Sequence, residues 1–144
     1  MSEHNNQVVR RYFEELDHGK AHPAHICTPD FVFHAAGVPS MDVEATRQFA
    51  AMFYAAMSDL MHPVEELIAE GDKVAFRGSY VGTHTGAFMG VPPSGRRVSA
   101  VGIGVFRVAN GKVAEFWVSP DRMSLMQQMG VLPVPEQANA GARS

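Results

Sequence analysis

The order of hydrophobic patterns along this chain predicts an α+β fold, a curved antiparallel β-sheet wrapped around N-terminal helices to make a cone-shaped α+β barrel. Three observations carry it. Two long amphipathic helical patterns lie in the first 60 residues, four strand patterns follow them, and short turns rather than helices join those strands. Strands joined by hairpins pair antiparallel, whereas strands alternating with helices would give a wound, parallel sheet. Helices and a sheet that are each apolar on one side bury those sides against one another, so the sheet must curl over the helices.

In the first helix, Val8, Val9, Tyr12, Phe13 and Leu16 recur at three- and four-residue steps from Ser2, a plausible N-cap, to His18, and Gly19 follows. The stretch KAHPAHICTPD is broken by Pro23 and Pro29, so it predicts one or two helical turns before an extended run over Phe31-Val32-Phe33-His34. After a loop marked by Gly37, Pro39 and Ser40, Val43 to Ser58 places Phe49, Met52, Phe53, Ala56 and Met57 on one face of a second helix without internal Gly or Pro. Strands are expected over His62–Glu70, Lys73–His84, Val98–Val108 and Lys112–Val118, with turns at Glu70-Gly71-Asp72 and Asn110-Gly111. A last helix is expected over Pro120–Met129, capped by Ser119 and stopped by Gly130. The chain therefore reads as one domain over 1–132 with a loose tail over 133–144, the run LPVPEQANAGARS from Leu132 onward being too polar to pack.

Composition narrows the function classes. The 144 residues are 46% hydrophobic and 19% charged, which is globular composition. A net charge of −3, with no Lys/Arg run longer than two, lacks the basic footprint of a nucleic-acid binder. No apolar stretch approaches the ~20 residues of a membrane span, and the polar start MSEHNNQVVRRYF resembles no cleavable leader, so a soluble cytoplasmic protein is expected. The single Cys27 rules out an internal disulfide, and the seven scattered His residues form no ligand pair, so no metal is expected.

Two stretches, GTHTGAFMGVPPSGRRV (82–98) and EFWVSPDRMSLMQQMG (115–130), together with RRYFEELDHGK, PDFVFH and VEELIAEGDKVAFRGSYVGTHTG, resemble the SnoaL-like polyketide cyclases. These are also called ester cyclases, and they belong to the nuclear transport factor two superfamily. The likeness spans about Val8 to Gly130 and implies the cone fold. It also implies a cofactor-free intramolecular aldol condensation, in which one carboxylate acts as general acid/base on an acidic carbon of an aromatic polyketide ester. Asp121 stands where the family motif places that acid, after the tryptophan-bearing strand and at the start of the last helix. The resemblance further places His34 close to the pocket and makes the 83–95 loop, with Phe88 and Met89, a cap over the mouth of the cone.

Each candidate also has a plain structural reading. An acid in the first helical turn, as at Asp121, is favoured by the helix dipole alone; as a base it would need an apolar cavity around it. His34 is either a hydrogen-bonded strand residue or a group that polarises a carbonyl. Trp117 is core or pocket wall, with Phe33, Phe53, Met57 and Tyr80 as companion wall candidates for a small hydrophobic or aromatic ligand. Arg77 either anchors a substrate anion or reaches solvent and pairs across strands.

Other chemistries of the same scaffold fit less well. A steroid-isomerase-like site wants an acid on the sheet beside a tyrosine; Tyr12 is present, but Val98–Val108 holds no Asp or Glu. An epoxide-hydrolase-like site wants two acids around an arginine, and Arg77 has no acid two residues away. The main alternative is a non-catalytic domain that binds a hydrophobic small molecule in the same pocket. Apolar residues on both faces of Val98–Val108 also point to a homodimer through the outer face of the sheet.

Overall fold

The computed structural model describes residues 2–133. The chain forms α1 (Ser2–Gly19), a single 3-10 turn (Ala24–Ile26), β1 (Cys27–Ala35), α2 (Val43–Ala56), β2 (Val64–Glu70), β3 (Lys73–Thr83), β4 (Arg97–Ala109), β5 (Lys112–Pro120) and α3 (Arg122–Gln128). The expected tail over 133–144 lies, apart from Pro133, outside the described residues.

The five strands form one open sheet in the order β1-β5-β4-β3-β2. Pairing is antiparallel from β2 to β5, as hairpin connections require. The sheet is nevertheless mixed: β1 lies parallel to β5, with Phe33 opposite Phe116 and His34 opposite Trp117. The expected antiparallel pairing joins β2 to β5, and β1 adds a parallel edge because it reaches its partner across α2 and three strands rather than through a turn. Such a long crossover permits parallel pairing. Strand β1 also starts earlier than expected and passes through Pro29, which an edge strand tolerates because one side of it donates to no neighbour. Irregularities of register between Cys27 and Val32, Val64 and Glu66, and Arg107 and Val108 bend the sheet.

The concave face is covered by α1, whose residues Val8, Val9, Tyr12, Phe13 and Leu16 are the buried ones, as their spacing predicts. Tyr12, Phe13, Phe76, Phe106 and Phe116 meet mostly edge to face at the centre, and Phe106 stacks on Phe116 at 4.0 Å between centroids. Helix α2 is capped by Asp42, whose Oδ1 accepts from the Ala45 N–H at 2.9 Å. Helix α3 begins two residues later than expected. Its cap is Asp121 rather than Ser119, since Pro120 is still paired with Gly102 in the sheet.

The segment from His84 to Arg96 folds against the C-terminal end of α2, where the Thr85 and Gly86 N–H groups donate to the Ala56 carbonyl. Phe88 and Val91 exchange both backbone hydrogen bonds around Met89 (φ 47°) and Gly90 (φ 83°), a tight reversal that drives Phe88 inward to 2% exposure and leaves Met89 outside. Its ends are tied by His84, fully buried, whose Nδ1 lies 2.9 Å from the Ser94 hydroxyl and accepts the Ser94 N–H.

Candidate functional site

Between the helices and the concave face of the sheet lies a cavity of about 170 Å³. Its wall follows from strand alternation: Phe33 and Ala35 of β1, Phe76, Gly78 and Tyr80 of β3, and Phe116 and Val118 of β5 point inward at two-residue steps. Phe49 and Phe53 of α2 form the opposite side, and Leu125 and Met126 of α3 close one end. Gly78 is required at its place, since a Cβ there would sit 2.6 Å from the Pro63 carbonyl oxygen.

Several polar groups break this apolar wall: Tyr12, His22, Tyr54, His62, Tyr80 and Arg122. The Tyr12 hydroxyl is 3.1 Å from His22 Nδ1. Burial pushes His22 down to about 4, so its ring is neutral at pH 7. Burial likewise pushes the neighbouring Cys27 thiol up to about 12, and the thiol donates to the Pro23 carbonyl at 3.6 Å, which leaves it inert. Tyr80 is raised to about 12, first by burial and then by the negative charge of Asp121. The Arg122 guanidinium donates to the Ala36 carbonyl and so joins α3 to the loop after β1.

Of the residues singled out from sequence, Phe33, Phe53, Tyr80, Phe88 and Met89 all line this cavity. Asp121 does not line the cavity: it is exposed, next in sequence to the lining residues Pro120 and Arg122, and its Oδ1 accepts the Ser124 N–H at 3.0 Å as the cap of α3. The remaining four are placed elsewhere. Met57 is fully buried but sits behind the wall, against Gly82. His34 and Trp117 are turned away from the cavity, because the alternation that points Phe33 and Phe116 inward points them outward. They stack at 5.2 Å on the convex face, where His34 Nε2 lies 2.6 Å from Glu115 and Nδ1 lies 2.9 Å from the Ser40 hydroxyl. Burial raises the Glu115 carboxyl, but hydrogen bonds from His34 and Arg107 outweigh it and hold the group below its ordinary range. Arg77 also faces outward and is bound to Glu65 at 2.6 Å and Glu66 at 3.3 Å, so the cross-strand reading applies and the substrate-anion reading does not.

Sequence reasoning missed one pair, His62 on the wall and Asp17 behind it. Asp17, one turn from the end of α1, accepts from His62 twice over: Oδ1 is 2.6 Å from Nδ1, and Oδ2 takes the backbone N–H at 2.9 Å. The Tyr54 hydroxyl reaches the same carboxylate at 3.4 Å. The two residues are 45 positions apart, so no local motif announces them. Among the described residues no group of three or more His, Cys, Asp or Glu comes together to hold a metal ion, and no helix is long and apolar enough to cross a membrane.

The sequence matches the model of the SnoaL-like polyketide cyclases over residues 6–129, nearly all of the described residues. The chain belongs to this family. Solved structures agree. The chain is similar to AclR of Streptomyces galilaeus, described as a candidate hydroxylase, with 26% identity and a TM-score of 0.86 over 98% of this chain and 95% of that one. It is similar to a candidate SnoaL-like polyketide cyclase of Jannaschia, with 27% identity and a TM-score of 0.80 over 92% of this chain and 95% of that one. IdmH of Streptomyces antibioticus, a candidate polyketide cyclase, is 27% identical with a TM-score of 0.77 over 88% of this chain and 99% of that one. A search of curated protein sequences returns no match. Different activities thus attach to one SnoaL-like scaffold, and the chemistry of this chain has to be argued from its own cavity.

Proposed function

We propose that this SnoaL-like chain carries out cofactor-free acid/base chemistry, of the ring-closing aldol kind, on a small apolar carbonyl or ester compound. The observation that carries this reading is the cavity itself, in which aromatic walls and a few phenol and imidazole groups converge on one space. A volume near 170 Å³ is close to that of cavities that take up a single benzene ring, so the buried part of the substrate is about one ring in size. Tyrosines kept protonated by burial, such as Tyr80, are suited to donate to a carbonyl oxygen as it gains negative charge. The carboxylate of Asp121, whose charge reaches Tyr80, serves as a general acid/base for the part of the substrate nearest the mouth. Phe88 and Met89 act as the lid, and a second copy of the chain covers the outer face of the sheet.

The test is turnover of a short 1,5-diketone such as heptane-2,6-dione, which closes to a six-membered hydroxyketone. Asp121→Asn is expected to keep ligand affinity within about threefold and to lower turnover by roughly 10²–10³-fold. Equal turnover in the variant would remove Asp121 from the chemistry. Binding without turnover in the parent chain would favour the non-catalytic alternative.

A further inference from the structure

We propose that Asp17 and His62 form a proton-accepting pair of the cavity, with His62 Nε2 taking the proton from the carbon next to the substrate carbonyl. The proposal rests on the acid/base reading above and names a residue within it. His62 lines the cavity, and its Nε2 has no hydrogen-bond partner among the described residues. The other ring nitrogen is fixed: with Asp17 Oδ1 at 2.6 Å, Nδ1 carries the hydrogen and donates it, which leaves the lone pair on Nε2. Asp17 is held in place, because Oδ2 takes the His62 backbone N–H at 2.9 Å and the Tyr54 hydroxyl, which donates to the Leu16 carbonyl at 3.1 Å, lies against Oδ1 at 3.4 Å. The ring is further held by Phe13, stacked at 6.0 Å. A base oriented by a carboxylate that also stabilises the imidazolium is the arrangement that general-base catalysis by histidine requires.

The place of this pair in the fold supports the same role. A surface cleft bordered by Arg10, Glu14 and Asp17 meets the cavity at His62, so the imidazole stands between enclosed space and water. In the step itself the Cα–H bond breaks, Nε2 gains the proton, and the electron pair moves onto the carbonyl oxygen as an enolate. In ring closure the enolate carbon bonds to the second carbonyl carbon, and the resulting alkoxide takes up one proton while the imidazolium releases one, so no oxidant, reductant or co-reactant is consumed. Arg10, Glu14 and Tyr54, with Tyr12 and His22 farther along the wall, are the other charged or titratable groups around the pair.

The first half of this step can be read without knowing the natural substrate. Acetophenone, one ring with one carbonyl, is incubated with the full chain in D2O, and deuterium entering its methyl group is followed by NMR. Exchange above the buffer rate that falls at least 100-fold in His62→Gln supports the pair. Exchange in the parent chain that His62→Gln leaves within threefold overturns the pair while leaving the acid/base reading standing. Neither uptake of acetophenone nor exchange by the parent chain overturns both. A second measurement needs no variant: phenacyl bromide, the same ketone with a bromide leaving group, should alkylate Nε2 of His62 with loss of bromide, and saturating acetophenone should protect it. Label found on Cys27, or label on His62 without protection, overturns the proposal. Asp17 is a positioning residue. In Asp17→Asn the label should attach to His62 at least tenfold more slowly while uptake of acetophenone stays within threefold, a split that a purely structural role would not produce.

Discussion

His22 shows how one buried ring ties the cavity wall to the stability of the fold. Its side chain is 5% exposed, sits between Phe31 and Tyr12, and is held down to about 4 by burial against an ordinary value of 6.5. The native ring is therefore neutral while the unfolded chain takes up a proton below about 6.5, so the unfolded state binds more protons across that window. Stability from this residue is complete above pH 6.5 and is lost as pH falls through 4. After allowance for partial solvent screening the loss is about 2 kcal/mol. Urea unfolding at pH 7.5 and at pH 4 should show the drop, and His22→Gln should make it smaller by that amount; an unchanged drop would contradict the neutral buried ring. The same scale explains what sequence could and could not tell about the site. Alternation sorts Phe33 from His34 and Phe116 from Trp117, but both sets are large and partly apolar, so parity alone does not say which faces the cavity. Only the side on which α1 packs decides it. Asp17 and His62 illustrate the opposite case, a contact across 45 residues that has no pattern to read.

Whole elements were far more legible, because each carries its own punctuation. The Asn110-Gly111 turn has left-handed φ at both residues (53° and 75°), as a two-residue hairpin needs, and it fixes β4 against β5 in the expected place. The start of α3 was misplaced for an equally local reason. Ser119 and Asp121 are both good caps, and the choice between them depends on Gly102 of β4 pairing with Pro120, a partner that is distant in sequence. This element links stability to the proposed chemistry, since Asp121 caps α3 and is also the proposed general acid/base. The two roles separate by substitution. Asparagine caps a helix about as well as aspartate, so Asp121→Asn should change unfolding free energy by only a few tenths of a kcal/mol. Asp121→Ala should cost about 1 kcal/mol. Denaturant midpoints of the two variants measure this, and a loss in Asp121→Asn as large as that in Asp121→Ala would mean that its turnover defect reports a frayed helix.

On the scale of the molecule, the cone has a filled side and an open one. Its concave face is covered by helices, but the convex face of β4 presents Val101 and Ile103, 48% and 56% exposed, in the middle of the sheet. Ile103 lies opposite Arg77 of β3, and Val105 lies opposite Trp117 of β5. The strip is bordered on one side by Arg77 with Glu65 and Glu66, and on the other by Arg107 with Glu115. The Arg107–Glu115 border neutralises its own charge, while Arg77 against two carboxylates leaves one net negative charge on the other border. An apolar strip flanked by ion-paired side chains has the apolar centre and polar margin of a two-fold dimer interface. Light scattering at micromolar concentration should therefore give twice the 15.7 kDa mass of one chain. Ile103→Asp, which places a buried charge in both halves of such an interface at once, should weaken association by at least 100-fold and give a monomer at the same concentration. The variant should keep its circular dichroism, since Ile103 contributes to no buried core position. A parent chain that scatters as a monomer would leave the strip without its second copy.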